Sequence, residues 1–365
     1  MVMIKWQGLC HLSPAELNRT DIGFANITCA LGLPGAESLD VPRQVEILNE
    51  IAALVRQETD KLIYLFHRQP GSYQNSEAYF RMMVLLTVLQ RNLGVHCDPQ
   101  FNQLSDYQFF SRPEMLFVHG VLQTRAGTCS SLPPMFAAVG RRLGYPLKLV
   151  TACQHVFLRW DSPTGEKFNI ECTSSGLVCH PDVYYQHWPR RLSDEQVRRY
   201  GALQSLSPRK ELAVFVGNRG HVWREHYQLW PAVQAYAQAS ELDPENWSWS
   251  QSLVAEMNRW ERKIQTLMMR GFPPMTIQFP PREFPSIPVD LERAICHLIA
   301  REKLFGDPAL QEKWWKPLRR DPATPPRDLP AHITVRFPQK SGDALDFVFA
   351  NRLPDWYDRK NTQPA

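Results

Sequence analysis

The sequence has no long hydrophobic run. None of its stretches approaches the ~18 uninterrupted apolar residues of a membrane span. The first 14 residues place Lys5 and Gln7 among their apolar residues, and they lack the apolar core of a signal peptide. We therefore expect no membrane association and a location in the cytoplasm.

The sequence also has only a small excess of positive over negative residues, and few cysteines. The 41 Lys and Arg residues nearly balance the 37 Asp and Glu residues and are scattered as short pairs such as Arg141-Arg142. A nucleic-acid-binding protein would concentrate them on one face. The eight cysteines are too few and too irregularly spaced for a small secreted disulfide scaffold. We expect no nucleic-acid partner, and we expect reduced thiols.

Motifs for cofactors and metals are missing as well. The chain has neither the G-x-x-x-x-G-K-[ST] phosphate loop nor the G-x-G-x-x-G dinucleotide fingerprint. A zinc site is the metal alternative, and its candidate ligands are Cys153, His155, Cys172, Cys179, His180 and His187. No pair of them has the C-x₂-C spacing of a zinc knuckle. The sequence therefore predicts neither a cofactor nor a metal.

Proline is unevenly distributed along the chain. Fifteen of the 30 prolines fall in the last 95 residues, so the first 270 residues should carry most of the regular structure. Together with the periodicity of the apolar residues, this predicts an α+β protein with four regions. These are a helical N-terminal region at residues 1–104, a core with an antiparallel sheet at residues 105–206, a helical extension at residues 207–270 and a Pro-rich irregular segment at residues 271–365.

Capping residues locate individual elements. Asp40 and Ser76 each precede a stripe of apolar residues at helical spacing, which predicts two helices in the N-terminal region. Gly94 should end the second of these helices. In the Pro-rich segment, residues 332–337 and 343–350 predict one hairpin.

The middle of the chain changes to a helix–strand–strand pattern. Prolines in the first turn and Gly144 at the end mark a helix that begins just after Cys129. Residues 147–152 form a β-type run, and residues 155–160 and 167–172 flank a turn and predict a hairpin.

Cys129 is therefore expected at or next to a helix N-terminus. The unsatisfied N–H groups there, and the positive end of the helix dipole, favour a thiolate over a thiol. The same N–H groups could hold the oxyanion that forms when a thiolate attacks a carbonyl. Gly127 is expected to allow a tight turn and the close approach of a substrate chain.

A thiol nucleophile needs a base, and the base needs an orienting group; the predicted hairpin supplies both. If Arg159 faces Lys167 across the two strands, His155 lies directly opposite Glu171, with Cβ atoms ~5 Å apart. A slip of two residues would instead place Asn169 opposite His155, and its amide could also orient the imidazole. In either register the other face is apolar and suited to a core, and consists of Val156, Leu158, Trp160, Phe168 and Ile170.

The segments RAGTCSSLPPMFAAVG, QHVFLRW and FNIECTSSG resemble the transglutaminase-like superfamily, whose core is a papain-like Cys-His-Asp arrangement. The resemblance is specific over residues 105–180. It implies that Cys129 is the nucleophile, His155 the general base and acid, and Glu171 the third member of the triad. The chain departs from the family at this third residue, which is usually aspartate in a D-P-T context and here stands in Glu-Cys-Thr. Glutamate is longer by one methylene and can still orient a histidine.

The chain is most similar to bacterial transglutaminase-like proteins that carry tetratricopeptide helices after the core. The positions that match a 34-residue tetratricopeptide unit are Gly220, Ala232, Tyr236, Ala239 and Pro244. Val216 occupies the tryptophan position and departs from the pattern. We predict an antiparallel helix pair over residues 208–243, packed on the preceding domain because so few repeats cannot bury their own faces.

These features predict thiol-dependent acyl chemistry on an amide of a protein or peptide substrate. The reaction would be peptide or isopeptide hydrolysis, or acyl transfer to an amine. The alternative is a non-catalytic interaction module, in which the transglutaminase-like core is a scaffold and the tetratricopeptide-like helices bind a protein partner.

Overall fold

Helices and a small antiparallel sheet make up the described part of the chain. The computed structural model describes residues 6–226, 228–253 and 255–256, together with strands at residues 275–278 and 332–335. Contacts divide the chain into two units, Met1–His226 and Tyr227–Ala365. No helix within these described ranges is both long enough and apolar enough to cross a membrane.

The first unit has an α+β architecture, as predicted. Its helices are α1 (Trp6–Cys10), α2 (Pro14–Arg19), α3 (Ile22–Ala30), α4 (Val41–Arg68), α5 (Glu77–Thr87), α6 (Asp106–Phe110), α7 (Pro113–Leu116), α8 (Val118–Thr124), α9 (Leu132–Arg142), α10 (Asp182–His187), α11 (Asp194–Tyr200) and α12 (Pro208–Glu225). Its strands are β1 (His96–Cys97), β2 (Ala126–Gly127), β3 (Leu147–Ala152), β4 (His155–Asp161) and β5 (Lys167–Ile170).

The predicted N-terminal helices are confirmed, with their caps. The Asp40 carboxylate accepts a hydrogen bond from the Arg43 N–H at 3.0 Å, and the Ser76 hydroxyl accepts one from the Tyr79 N–H at 2.8 Å. A π-helical turn, Val88–Asn92, continues α5, and Gly94 follows it with a positive φ of 71°. Both helices therefore begin where the sequence signals place them, and the second ends at the predicted Gly94.

Helix α3 lies at the centre of the first unit. It packs against α4, α8, α9 and α12, and its Ile27 side chain is completely buried. A Cβ atom added to Gly23 would lie 2.5 Å from Leu48 Cδ1 and 3.0 Å from Ala138 Cβ. This glycine therefore lets α4 and α9 approach α3 closely, which places α9 and the turn before it firmly on the core.

The sheet has the strand order β3-β4-β5, and both neighbouring pairs are antiparallel. Helix α9 packs on β3 and β4. The central strand is buried on both sides, because Phe157 and Leu158 point to opposite faces and both are fully buried. The face that carries His155 is thus also part of the core.

The predicted register of the hairpin is wrong by two residues. Arg159 faces Asn169, and Asp161 faces Lys167, whereas the prediction paired Arg159 with Lys167. A shift of two keeps every side chain on its predicted face, because side chains alternate with a period of two. The observed register lets the fully buried Arg159 guanidinium donate to Asn169 Oδ1 at 2.6 Å instead of facing another cation.

A partly buried ion pair joins α9 and β3 to α12. The Arg141 guanidinium donates to both carboxylate oxygens of Glu211, and the Leu149 N–H donates to the same carboxylate at 3.2 Å. Glu211 is almost completely buried, so these donors replace the water that its charge loses. The start of α12 is therefore fixed to the sheet.

In the second unit, α13 spans Leu229–Leu242 and residues 247–253 and 255–256 are helical. The predicted span 208–243 is thus helical as α12 and α13, while their pairing as a tetratricopeptide unit stays a prediction. Residues 257–270 of the predicted extension lie outside the described residues.

The first strand of the predicted C-terminal hairpin is found as β7 (His332–Val335), which pairs antiparallel with β6 (Met275–Gln278). The predicted partner strand stays a prediction. That partner, residues 343–350, lies outside the described residues.

Candidate active site

Cys129 lies in the turn between β2 and α9, as the sequence predicted. The Leu132 N–H donates to the Thr128 carbonyl at 2.9 Å, so Cys129 lies within the hydrogen-bonded turn that leads into α9. The Thr128 hydroxyl donates to the Met115 carbonyl at 2.7 Å and accepts from the Ser130 N–H at 3.1 Å. These bonds fix the backbone on both sides of the thiol, which is only 4% exposed.

Gly127 has a packing role in this turn. A Cβ atom at this residue would lie 2.7 Å from Leu132 Cδ2 and 2.9 Å from Val121 Cγ2. The space on the Cβ side of Gly127 is therefore filled by the protein's own side chains, and the approach of a substrate chain at this residue stays a prediction. A larger residue here would displace the first turn of α9 and with it Cys129.

His155 begins β4 and is brought to Cys129. It follows the tight turn at Cys153 and Gln154, where Gln154 adopts a positive φ of 58°. Its Nε2 atom lies 2.8 Å from Glu171 Oε2. The Cys129 thiol is close enough to the imidazole to raise the pKa of His155, and Nδ1 is the ring nitrogen that Glu171 leaves free. The structure therefore brings Cys129, His155 and Glu171 together at one site.

Burial and charge act in opposite directions on His155. Burial disfavours the imidazolium, but the hydrogen bonds and negative charges of Cys129 and Glu171 outweigh it and raise the pKa of His155 to about 9. For Glu171, burial favours the neutral acid, and the bonds from His155 and Thr173 overcome this and lower its pKa. The arrangement therefore favours an imidazolium paired with the Glu171 carboxylate at neutral pH.

Glu171 reaches His155 from beyond the end of its strand. Strand β5 ends at Ile170, so Glu171 does not lie directly opposite His155 as predicted. The Glu171 N–H donates to the Val178 carbonyl at 2.9 Å, which turns the chain away from the sheet. The glutamate side chain is one methylene longer than aspartate and spans the remaining distance to His155 Nε2. Asn169, the predicted alternative partner, instead accepts from Arg159 and donates to the His180 carbonyl.

Four donors satisfy the Glu171 carboxylate. Oε1 accepts from the Thr173 N–H at 2.9 Å and from the Thr173 hydroxyl at 2.6 Å. Oε2 accepts from the Tyr185 hydroxyl at 3.2 Å in addition to His155. A carboxylate held at both oxygens keeps its orientation, so Thr173 and Tyr185 act on the site through Glu171.

Sequence reasoning missed Tyr185 and Trp188. The ring of Tyr185 stacks on Phe157 with centroids 3.8 Å apart, and Trp188 approaches the His155 ring edge-on at 4.8 Å. Both come from α10 and the residue after it, whose packing over the sheet is a tertiary contact with no local sequence signal. Thr173 could have been found, since it stands at the threonine of the family's D-P-T context.

Tyr185→Phe should slow the reaction of Cys129 with iodoacetamide at pH 6 by about three- to tenfold, because Glu171 loses one hydrogen bond to its charged form. The ring and its stacking on Phe157 remain. The neighbouring Tyr184→Phe is the matched control, since Tyr184 makes no bond to Glu171 in the described structure. Equal rates in the two variants would show that Tyr185 does not orient Glu171.

The residues considered for zinc are not gathered into a metal site in the described structure. Nowhere in the described ranges do three or more His, Cys, Asp or Glu side chains converge in a way that could hold a metal ion. His155 is instead bonded to Glu171, and Cys172 donates to the Ile170 carbonyl at 3.8 Å.

Comparison with known proteins identifies a domain around this site. Residues 45–213 match the family model of the transglutaminase-like superfamily. No match was found among the curated proteins or among the solved structures. The matched segment begins inside α4, ends in α12 and includes Cys129, His155 and Glu171. A domain of this superfamily suggests papain-like thiol chemistry.

Proposed function

We propose that the protein performs thiol-dependent acyl chemistry on an amide of a protein or peptide, with Cys129, His155 and Glu171 as its catalytic triad. The observation that carries the proposal is the hydrogen bond of His155 to a fully satisfied Glu171 carboxylate, with the Cys129 thiol beside the same imidazole. Such an arrangement is the activated nucleophile, base and orienting group that acyl transfer requires.

The first step would be attack of the Cys129 thiolate on the amide carbonyl carbon. The developing oxyanion needs donors that are not already used. The Thr128 N–H donates to the Ser131 hydroxyl and the Ser130 N–H to the Thr128 hydroxyl. Within the described residues the Cys129 N–H has no acceptor, so it is the donor available in this turn.

His155 would then move the protons. With a pKa raised to about 9, the imidazolium can give its proton to the nitrogen of the leaving amine as the C–N bond breaks, which leaves a thioester on Cys129. The neutral imidazole next removes a proton from water or from an amine that attacks the thioester. Water yields peptide or isopeptide hydrolysis, and an amine yields acyl transfer.

The proposal is tested by labelling the native full-length protein with iodoacetamide and mapping the modified cysteines by mass spectrometry. Burial raises the pKa of Cys97 and of Cys179 to about 11. Both thiols should therefore react slowly, although Cys97 is partly exposed and Cys179 is exposed. We expect Cys129 to be modified first at pH 6–7 and Cys129→Ser to lose this fast site. Faster modification of Cys179 than of Cys129 would contradict the proposal.

The alternative is a non-catalytic scaffold that binds a protein partner through the core and the tetratricopeptide-like helices. The observation in its favour is burial, since Cys129 and His155 are each 4% exposed and Glu171 is 3% exposed. A scaffold would use these residues only to hold the sheet to α9. It predicts slow modification of Cys129, no faster than that of the other thiols.

A further inference from the structure

An exposed aromatic side chain touches the proposed general base. Trp188 is 40% exposed, yet its ring meets the His155 ring edge-on with centroids 4.8 Å apart. Val183, in α10, is even more exposed. Large apolar side chains that remain open to water in one short segment mark an interaction surface rather than a core.

A stack of rings holds Trp188 in place. Trp188 stacks on Tyr184 at 5.6 Å, and Tyr184 stacks on His180 at 3.9 Å with only 16° between the ring planes. The backbone N–H of Trp188 donates to the Tyr184 carbonyl at 2.9 Å. The exposed indole is therefore preorganised beside His155, and a ring that packs on it would lie next to the reacting groups.

Two arginines close to Trp188 in the sequence extend this surface. Arg190 and Arg191 follow Trp188 closely, are exposed, and form no ion pair with any residue that the structure describes. Arg190 lies near the Cys153 thiol, in the turn that precedes His155, where its charge opposes the effect of burial that raises the pKa of Cys153. The acidic residue of α10, Asp182, is already bound by the Arg159 guanidinium. The arginines therefore offer donors to an acidic group from outside.

We infer that the surface formed by Val183, Tyr184, Trp188 and Arg190 is the substrate-recognition surface of the Cys129 site, and that it selects peptides with an aromatic residue next to the reacting amide and an acidic residue one position further away. This inference rests on the proposed function. An aromatic side chain stacks favourably on an exposed indole, and a carboxylate forms charge-assisted hydrogen bonds with arginine. Contact between Trp188 and His155 makes the recognition surface continuous with the triad.

The test uses four peptidyl vinyl sulfones on the full-length protein. They carry Phe or Ala next to the reactive group, and Glu or Lys at the following position. The Cys129 sulfur adds to the vinyl carbon β to the sulfonyl group, and the carbon α to that group takes up a proton, so the rate of adduct formation at Cys129 measures recognition. We expect the Phe probes to react about five- to tenfold faster than the Ala probes, and the Glu probes to exceed the Lys probes by a similar factor.

Variants separate the two parts of the surface. Trp188→Ala should abolish the Phe-over-Ala ratio, and Arg190→Glu should reverse the Glu-over-Lys ratio. Arg68→Glu, an exposed arginine at the end of α4, is the matched charge control and should change neither ratio. The rate with iodoacetamide, which carries no side chain, is measured for each variant to correct for intrinsic thiol reactivity.

The possible results distinguish this inference from the proposed function. Selective reaction of Cys129 with iodoacetamide but equal rates with all four vinyl sulfones would overturn the inference and leave the proposed function standing. An equal response to Arg68→Glu and Arg190→Glu would also overturn it, because the charge effect would then be nonspecific. Failure of Cys129 to react with either class of reagent would overturn both.

Discussion

His155→Ala should lower the rate of iodoacetamide alkylation at Cys129 about 100-fold at pH 6. In the parent protein the pKa of His155 is raised to about 9, so at pH 6 an imidazolium stands beside the sulfur and stabilises its anionic form. A cysteine without such a partner, with the free pKa of about 8.5, is only about 0.3% thiolate at this pH. The rates are measured by peptide mapping from pH 5 to 10.

The pH dependence of this difference has a definite sign. As the pH rises through about 9, His155 loses its proton in the parent protein and the favourable charge disappears. The parent and the His155→Ala profiles should therefore converge at alkaline pH and differ most in acid. A difference that grew with pH would contradict an imidazolium–thiolate pair.

Three further variants complete this experiment. Glu171→Gln should reduce the rate at pH 6 less than His155→Ala, because Glu171 stabilises the imidazolium without touching the sulfur. His67→Ala, at the exposed end of α4, should leave the profile unchanged. Cys129→Ser should remove the fast site altogether. A parent-like profile in His155→Ala would mean that the two residues are not coupled, and would favour the scaffold.

The nucleophile and its base could be predicted from the sequence because their signals are local. Prolines in the first turn of α9 place Cys129 before a helix, and the turn at residues 161–165 places His155 on the strand that precedes it. The residue that orients His155 was harder to predict. The alternation of side chains along a strand fixes the face of the sheet on which Glu171 lies, but not the residue opposite it. A slip of two residues satisfies the same hydrophobic pattern, and only the tertiary surroundings of Arg159 decide between the registers.

The remaining site residues depend on packing that the sequence does not encode locally. Tyr185 reaches Glu171, and Trp188 reaches His155, because α10 folds back over the sheet after a loop. Its six residues carry no periodicity that would assign a face. Aromatic residues in a short polar helix are compatible with many positions, so a sequence pattern alone could not place them at the triad.

Arg159→Met should destabilise the first unit by about 3 kcal/mol, because it removes one partner from a buried network. Arg159 is 1% exposed; its Nε donates to Asn169 Oδ1 at 2.6 Å and one terminal nitrogen donates to the Leu203 carbonyl at 3.1 Å. Methionine fills most of the space of the aliphatic stem but leaves both acceptors without a donor. Asp182, which Arg159 also binds, is half-exposed and can regain water, so it adds little to the cost.

The measurement is the free energy of unfolding of the full-length protein in urea, followed by the fluorescence of its tryptophans. Arg68→Met, at an exposed position, is the matched control and should change the free energy of unfolding by less than about 0.5 kcal/mol. Arg159→Lys should recover little stability, because one ammonium group cannot reproduce donors directed at Asn169, Leu203 and Asp182 at the same time. A loss below about 1 kcal/mol in Arg159→Met would mean that this network does not set the register of β4 and β5, and therefore does not fix His155 relative to Glu171.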